Sequence, residues 1–277
     1  MRLQLWGSAA AERVPAMFCH CAACELARKK GGKYIRTEAQ VLIDESLLVD
    51  FGQDTFLHFL TYGFDFTRLR DLLITHVHPD HFSYRELDNT RAPYAHNDME
   101  TLHVHGGDGC GALMATLLSD KVDFSPIRAY ETQEIGGYTV TALPARHDEA
   151  SAYCYIISDG KKTVLYNHDT GLYQDEAVYD FIRERGFRFD AVLSDATSCL
   201  RENYTGWRHM TLADNVTLRD RLQKEGALTD DTLWVLTHFS HNGLVNALGT
   251  PVTVEALEEI ARAHGMTCAY DGMTLTL

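Results

Sequence analysis

Short apolar runs alternate with helical patterns along most of the chain. Leu3–Trp6, Val41–Ile43 and Leu47–Phe51 read as strands, with Gly7 and Gly52 as breaks. Thr55–Tyr62 reads as a helix, and Leu72–Thr75 as a short strand that runs straight into His76. Tyr84–Asp88 and Gly111–Leu118 are predicted helices, and His103 and His105 alternate on a predicted strand between them. Tyr138–Leu143, Ala152–Ile157 and Thr163–Tyr166 form a second set of strands. Asp175–Arg185 is an amphipathic helix that closes at Gly186. Ala191–Ser194 and Leu233–Thr237 are strands again, with the helix Leu212–Lys224 between them and Val252–His264 as the last helix. No linker, repeat or low-complexity stretch divides the pattern, so a single domain over residues 1–277 is expected. Several strand ends deliver polar groups: His76, His147, Asp169, Asp195 and His238. Ligands at the ends of rigid strands are what a multi-ligand site requires.

Charge narrows the partners. Thirty-nine acids against 25 bases leave a net charge of −14. A general nucleic-acid binder needs a basic footprint, and so does a protein held on an anionic membrane. A small anionic substrate is still admissible, because bound cations reverse the field locally. The N-terminal stretch reads as a strand and a turn rather than a signal peptide, and no apolar run is long enough for a membrane span. Seven cysteines, three of them at 19, 21 and 24, suggest a metal site in a reducing compartment rather than a disulfide framework. The cytoplasm is the expected location; the sequence leaves the oligomeric state open, a homodimer being one candidate because two-fold dimers are the commonest soluble oligomers.

The 14 histidines carry the chemistry. Thr75-His76-Val77-His78-Pro79-Asp80-His81 packs four potential ligands behind an apolar strand. His76 and His78 alternate and face the same way, while Asp80 and His81 follow after Pro79 has turned the chain. One loop can thus serve two cations. Imidazole suits zinc, manganese and iron, and carboxylate suits the harder ions.

Thr-His-x-His-x-Asp-His after a strand resembles the signature of the metallo-β-lactamase fold hydrolases. The resemblance implies an α+β fold, a four-layer αββα sandwich with metals at one edge of two facing sheets, over about residues 2–275. It implies that His76, His78, His147 and Asp169 hold one metal, and that Asp80, His81, His238 and Asp169 hold the other. His168 is the competitor of Asp169; the carboxylate is preferred because it can bridge two cations. The bridging aspartate resembles that of ester and phosphodiester hydrolases more than that of antibiotic-degrading enzymes. The implied chemistry is attack of a metal-bridging hydroxide on a small phosphodiester, cyclic ones included. Asp80 is a catalytic candidate for orienting the water, and His209, in Trp-Arg-His-Met-Thr, for donating a proton or binding phosphate.

Cys19-His20-Cys21-Ala22-Ala23-Cys24 is a Cys-x-Cys-x-x-Cys motif within residues 19–24. Three thiolates so close suit tetrahedral zinc and need a fourth ligand. His241, three residues after His238, is preferred over His20. In the branch of phosphoribosyl cyclic phosphate phosphodiesterases that this chain resembles, such a triplet and a later histidine hold a structural zinc. The triplet also occurs in the pyrroloquinoline quinone biosynthesis protein of the same fold. A non-phosphodiesterase like that protein is therefore one alternative, and a nuclease like the tRNA 3′ processing enzyme another. Cys110, Cys154, Cys199 and Cys268 read as core or loop thiols.

Other positions are read more simply. Asp195 either orients a histidine ligand or is a solvated loop acid. Arg146 is taken as a surface charge. His103 and His105 are taken as structural and without carboxylate partners. Within the length added around 91–109 relative to the resembling branch, the stretch Asp88-Asn89-Thr90-Arg91-Ala92-Pro93-Tyr94-Ala95-His96-Asn97-Asp98 reads as a loop beside the site, where Tyr94 and His96 either reach a substrate or lie on the surface.

Overall fold

A computed structural model describes every residue except 97–98, 203, 205–206 and 247. Its frame is two seven-stranded sheets. The first contains β1 (Arg2–Gly7), β2 (Gln40–Ile43), β3 (Leu47–Val49), β4 (Asp71–Leu73), β5 (Leu102–Gly106) and β6 (Val122–Pro126) in spatial order. The second runs through β7 (Thr132–Ile135), β8 (Tyr138–Pro144), β9 (Tyr153–Ser158), β10 (Thr163–Asn167), β11 (Ala191–Asp195), β12 (Leu233–Thr237) and β13 (Thr267–Cys268). The last strand, β14 (Met273–Thr276), returns to the first sheet beside β1. Each sheet has an antiparallel half and a parallel half, β3 to β6 in one and β10 to β13 in the other.

Strand alternation explains the layers. In β3, Leu47 and Val49 face the other sheet while Leu48 faces outward. In β10, Val164 and Tyr166 face inward while Leu165 faces outward. Both faces are covered, so the parallel strands read as continuous apolar runs. Leu3, Leu5, Ile43 and Leu73 meet Val140, Ile157, Leu193 and Val235 between the sheets. Outside the second sheet pack α4 (Glu176–Arg185), α5 (Leu212–Lys224) and α6 (Val254–Ala263), through Val178, Ile182, Leu218, Leu222 and Leu257. Outside the first, Trp6, Leu42, Leu72 and Val104 meet Phe64, Leu87 and Met114 beside α2 (Thr55–Tyr62) and α3 (Asp108–Met114). The result is the expected αββα sandwich.

Several local expectations are corrected. Tyr84–Thr90 is a 3-10 helix and not an α-helix. The expected helix at 111–118 begins earlier and ends at Met114. The strand expected around His103 and His105 is Leu102–Gly106, in the interior of the first sheet. His103 and His105 do have carboxylate partners, Asp123 at 2.7 Å and Asp71 at 3.0 Å. A further helix, α1 (Ala22–Lys30), follows Cys21 and carries Cys24 inward. Among the described residues, no helix is long and apolar enough to cross a membrane.

Candidate metal centre

The centre lies where the parallel strands end, the usual place for ligands in parallel sheets. After β4 the chain passes into the 75–81 loop, and after β10, β11 and β12 come Asp169, Asp195 and His238. His147 follows β8. Tyr155 ties the sheets to the loop by donating from its hydroxyl to the Ile74 carbonyl at 2.7 Å. Asp50, Asp169 and His238 all have left-handed backbones, with φ of 67°, 45° and 60°. Non-glycine residues held there cluster at functional sites.

Among the described residues, three four-residue groups share Asp169; two match the expected ligand sets, and the third joins Asp169 and His238 to Asp195 and His209. In His76, His78, His147 and Asp169, and again in Asp80, His81, Asp169 and His238, the ligand atoms lie within 4.8 Å of one another. Asp169 belongs to both of these. Its Oδ2 is 3.1 Å from His76 Nε2, 3.6 Å from His147 Nε2 and 3.3 Å from His81 Nε2. Its Oδ1 is 3.0 Å from His238 Nδ1. His168 is also buried, but its ring lies against Tyr166, centres 3.9 Å apart, and its ring nitrogens hydrogen-bond no described residue. The carboxylate, rather than His168, bridges the groups.

The donor set suits divalent cations. His81 Nε2 faces His238 Nε2 at 3.2 Å, and His78 Nδ1 faces His147 Nε2 at 3.2 Å. Nitrogen lone pairs brought this close need a proton or a cation between them. His76 Nε2 and Asp169 Oδ1 are buried without a hydrogen-bonding partner among the described residues. Imidazoles and a carboxylate converging on orphaned atoms fit zinc, manganese or iron(II). Burial pushes His76 down to about 4 and also lowers His147, so both offer unprotonated nitrogen. Burial disfavours an ionised Asp169, but His238 and His81 outweigh it and hold the carboxyl well below its usual range.

Several residues orient this set, and spacing alone does not reveal them. Asp50 Oδ2 lies 2.8 Å from His81 Nδ1 and accepts from the Tyr166 hydroxyl at 3.1 Å. Its Oδ1 accepts from the Thr75 N–H and hydroxyl at 2.9 and 2.8 Å. A proton on Nδ1 leaves His81 Nε2 turned to the ligands, the usual arrangement behind a metal-binding histidine. Thr197 Oγ1 does the same for His238 Nδ1 at 2.8 Å. A strand-end acid, such as Asp50 after β3, is the only sequence signal for these.

Asp195 is fully buried and not a solvated loop acid. Its Oδ2 is 3.0 Å from His209 Nδ1, and its Oδ1 accepts from the N–H groups of Thr197 and Met210. His209 stands 3.5 Å from Asp169 and stacks on His238 with ring centres 5.9 Å apart. Burial opposes a charged His209, but the Asp195 carboxylate and its hydrogen bond outweigh that and raise it to about 9. Arg146 donates to the Leu172 carbonyl at 3.1 Å. Tyr94 and His96 are exposed, with no contact to the ligand groups among the described residues. Asn97 and Asp98, from the same predicted loop, lie outside the described residues.

The second metal cluster also assembles. Ligand atoms of Cys19, Cys21, Cys24 and His241 lie within 4.8 Å of one another, with Cys21 Sγ 3.2 Å from His241 Nδ1. His20 turns away to Glu25 at 2.8 Å. The other four thiols are buried.

Known proteins share this fold. A ribonuclease Z of Bradyrhizobium diazoefficiens is 27% identical over 120 residues, which cover 40% of this chain and 39% of that protein. A diphosphatase of the PhnP family has a similar structure, with TM-score 0.71 and 21% identity, over 99% of this chain and 97% of that one. Zinc-bound PqqB of Methylobacterium extorquens gives TM-score 0.75 and 20% identity over the whole of both chains. The family model of the beta-lactamase superfamily domain matches residues 45–239, from the strand before Asp50 to the residue after His238, and to that family the chain belongs.

Proposed function

We propose that the protein is a binuclear-metal-dependent phosphodiesterase acting on a small phosphodiester, cyclic ones included. The observation that carries this reading is the pair of four-residue ligand groups sharing Asp169, with His209, 3.0 Å from the buried Asp195, beside them. Cations held there would supply Lewis-acid polarisation of the phosphoryl group and acidify nearby water.

The chain's own groups do the rest. Asp169 holds the two halves of the centre together. Asp50 and Thr197 fix the tautomers of His81 and His238. Asp80, with Oδ2 3.1 Å from His81 Nε2, presents a carboxylate that can orient a water. His209 keeps one proton on Nδ1, toward Asp195, and a second on Nε2 for the leaving alkoxide. Zinc or manganese suits the mixed nitrogen and oxygen donors, and the thiolate cluster suits a structural zinc.

The ribonuclease Z match lends weight to phosphodiester chemistry, while the charge of −14 counts against a long polyanionic substrate. The test is turnover of bis-p-nitrophenyl phosphate and a set of cyclic nucleotides by protein reconstituted with Mn²⁺ or Zn²⁺. Metal-dependent hydrolysis is expected. Inertness of the metal-loaded protein toward every diester would overturn the reading.

A further inference from the structure

The rim of the centre carries a step, Trp207–Arg208, that the mechanism above leaves unused. A Cβ on Gly171 would lie 2.0 Å from the Trp207 carbonyl oxygen, so this segment is pressed against the Asp169 loop. The Arg208 carbonyl oxygen lies 3.4 Å from His147 Nδ1. The Arg208 side chain is 49% exposed, and its guanidinium sits 5.1 Å from the Trp207 ring, itself 42% exposed.

Asp148 links this guanidinium to the centre. Its Oδ2 is 2.8 Å from Arg208 Nη1. Its Oδ1 is 3.1 Å from His147 Nε2 and 3.7 Å from His78 Nε2. One carboxylate therefore spans the distance from the first ligand group to the arginine. Both partners are partly exposed, so another anion can reach the guanidinium. The guanidinium fork matches carboxylate and phosphate. Arg146, nearby, is committed to a backbone carbonyl.

We propose that Arg208 binds a second anionic group of the substrate, about two or three atoms from the scissile phosphorus, and that Asp148 is the internal stand-in for that group. This rests on the phosphodiester reading and narrows it to diesters whose retained part carries a further carboxylate or phosphate.

The test is calorimetric titration of the metal-loaded protein with 3-phosphonopropionate and with propylphosphonate, which differ in the terminal carboxylate. The wild type should bind the former tighter by about tenfold or more, the scale of a charge-assisted hydrogen-bonded pair. Arg208→Gln should bring the ratio to about one, and Arg208→Lys should keep part of it. Asp148→Asn, which removes the competing anion, should widen it. Equal affinities in the wild type, a ratio unchanged in Arg208→Gln, or no binding of either ligand at millimolar concentration would overturn the proposal. Failure to turn over bis-p-nitrophenyl phosphate would instead count against the phosphodiester reading, and the binding ratio is read independently of it.

Discussion

Asp50 supports three groups of the centre at once: the His81 ring, the Thr75 hydroxyl and N–H, and the Tyr166 hydroxyl. Asp50→Asn keeps the volume but removes the charge behind His81. Metal affinity should fall by about 10–100-fold, the usual cost of losing such support, as read by competition with a chromogenic chelator. Unaltered affinity would show that His81 needs no such support. For His209, paired with Asp195, a proton-donor role predicts that His209→Gln lowers kcat by about 10²–10⁴-fold while the metal content stays the same. Loss of a metal in that variant would make His209 a ligand instead. Away from the centre, His58 is buried between Gln40 Oε1 at 2.6 Å and Thr37 Oγ1 at 2.7 Å, and burial lowers it to about 4. Its folded value lies below the unfolded one, so the unfolded chain takes up the proton first. The stability it contributes is present above about pH 6.5 and is lost as pH falls toward 4, by roughly 3 kcal/mol. In urea unfolding, the gap between wild type and His58→Gln should therefore shrink between pH 7 and pH 4.5, and a constant gap would contradict the burial argument.

At the scale of elements, what the sequence reveals follows burial. Strands covered on both faces stand out by their apolar runs, such as β3, Val164–Tyr166 of β10 and Leu233–Leu236 of β12. The edge strand β7 and the half-exposed β6 and β14 carry too little apolar signal, and β13 is only two residues long. The motif at 75–81 is legible because one loop concentrates four ligands, and the later ligands because each follows a strand. Asp50, Thr197 and Asp148 are not legible, because they act on histidines brought near them only by the fold. Helix α1 escapes notice because only Ala23, Cys24 and Ala27 of its nine residues are buried. Gly171 is of the same hidden kind: its missing Cβ lets the 169–171 and 207–209 segments touch. Gly171→Ala should push the Trp207–His209 segment outward. The expected result is a stability loss of about 1–3 kcal/mol and a fall in kcat, measured by thermal unfolding and by diester turnover. Unchanged values of both would mean that the contact relaxes freely.

For the whole molecule, the charge of −14 and the metal centre act on different ranges. The global field repels a long polyanion, while cations held at Asp169 would attract a small one. Transfer RNA should accordingly show no tight binding at physiological salt in a filter assay, and tight binding would revive the nuclease alternative. The thiolate cluster joins the start of α1 to the turn after β12, segments far apart in the chain. Two kinds of cation site thus follow from one fold, and counting the metal tests both. After reconstitution and removal of loose ions, elemental analysis should find three cations per chain, two at the Asp169-bridged groups and one at the thiolates. Asp169→Ala should keep only the thiolate-bound cation. A wild type holding a single cation, or an Asp169→Ala variant that still holds all three, would contradict a binuclear centre bridged by Asp169.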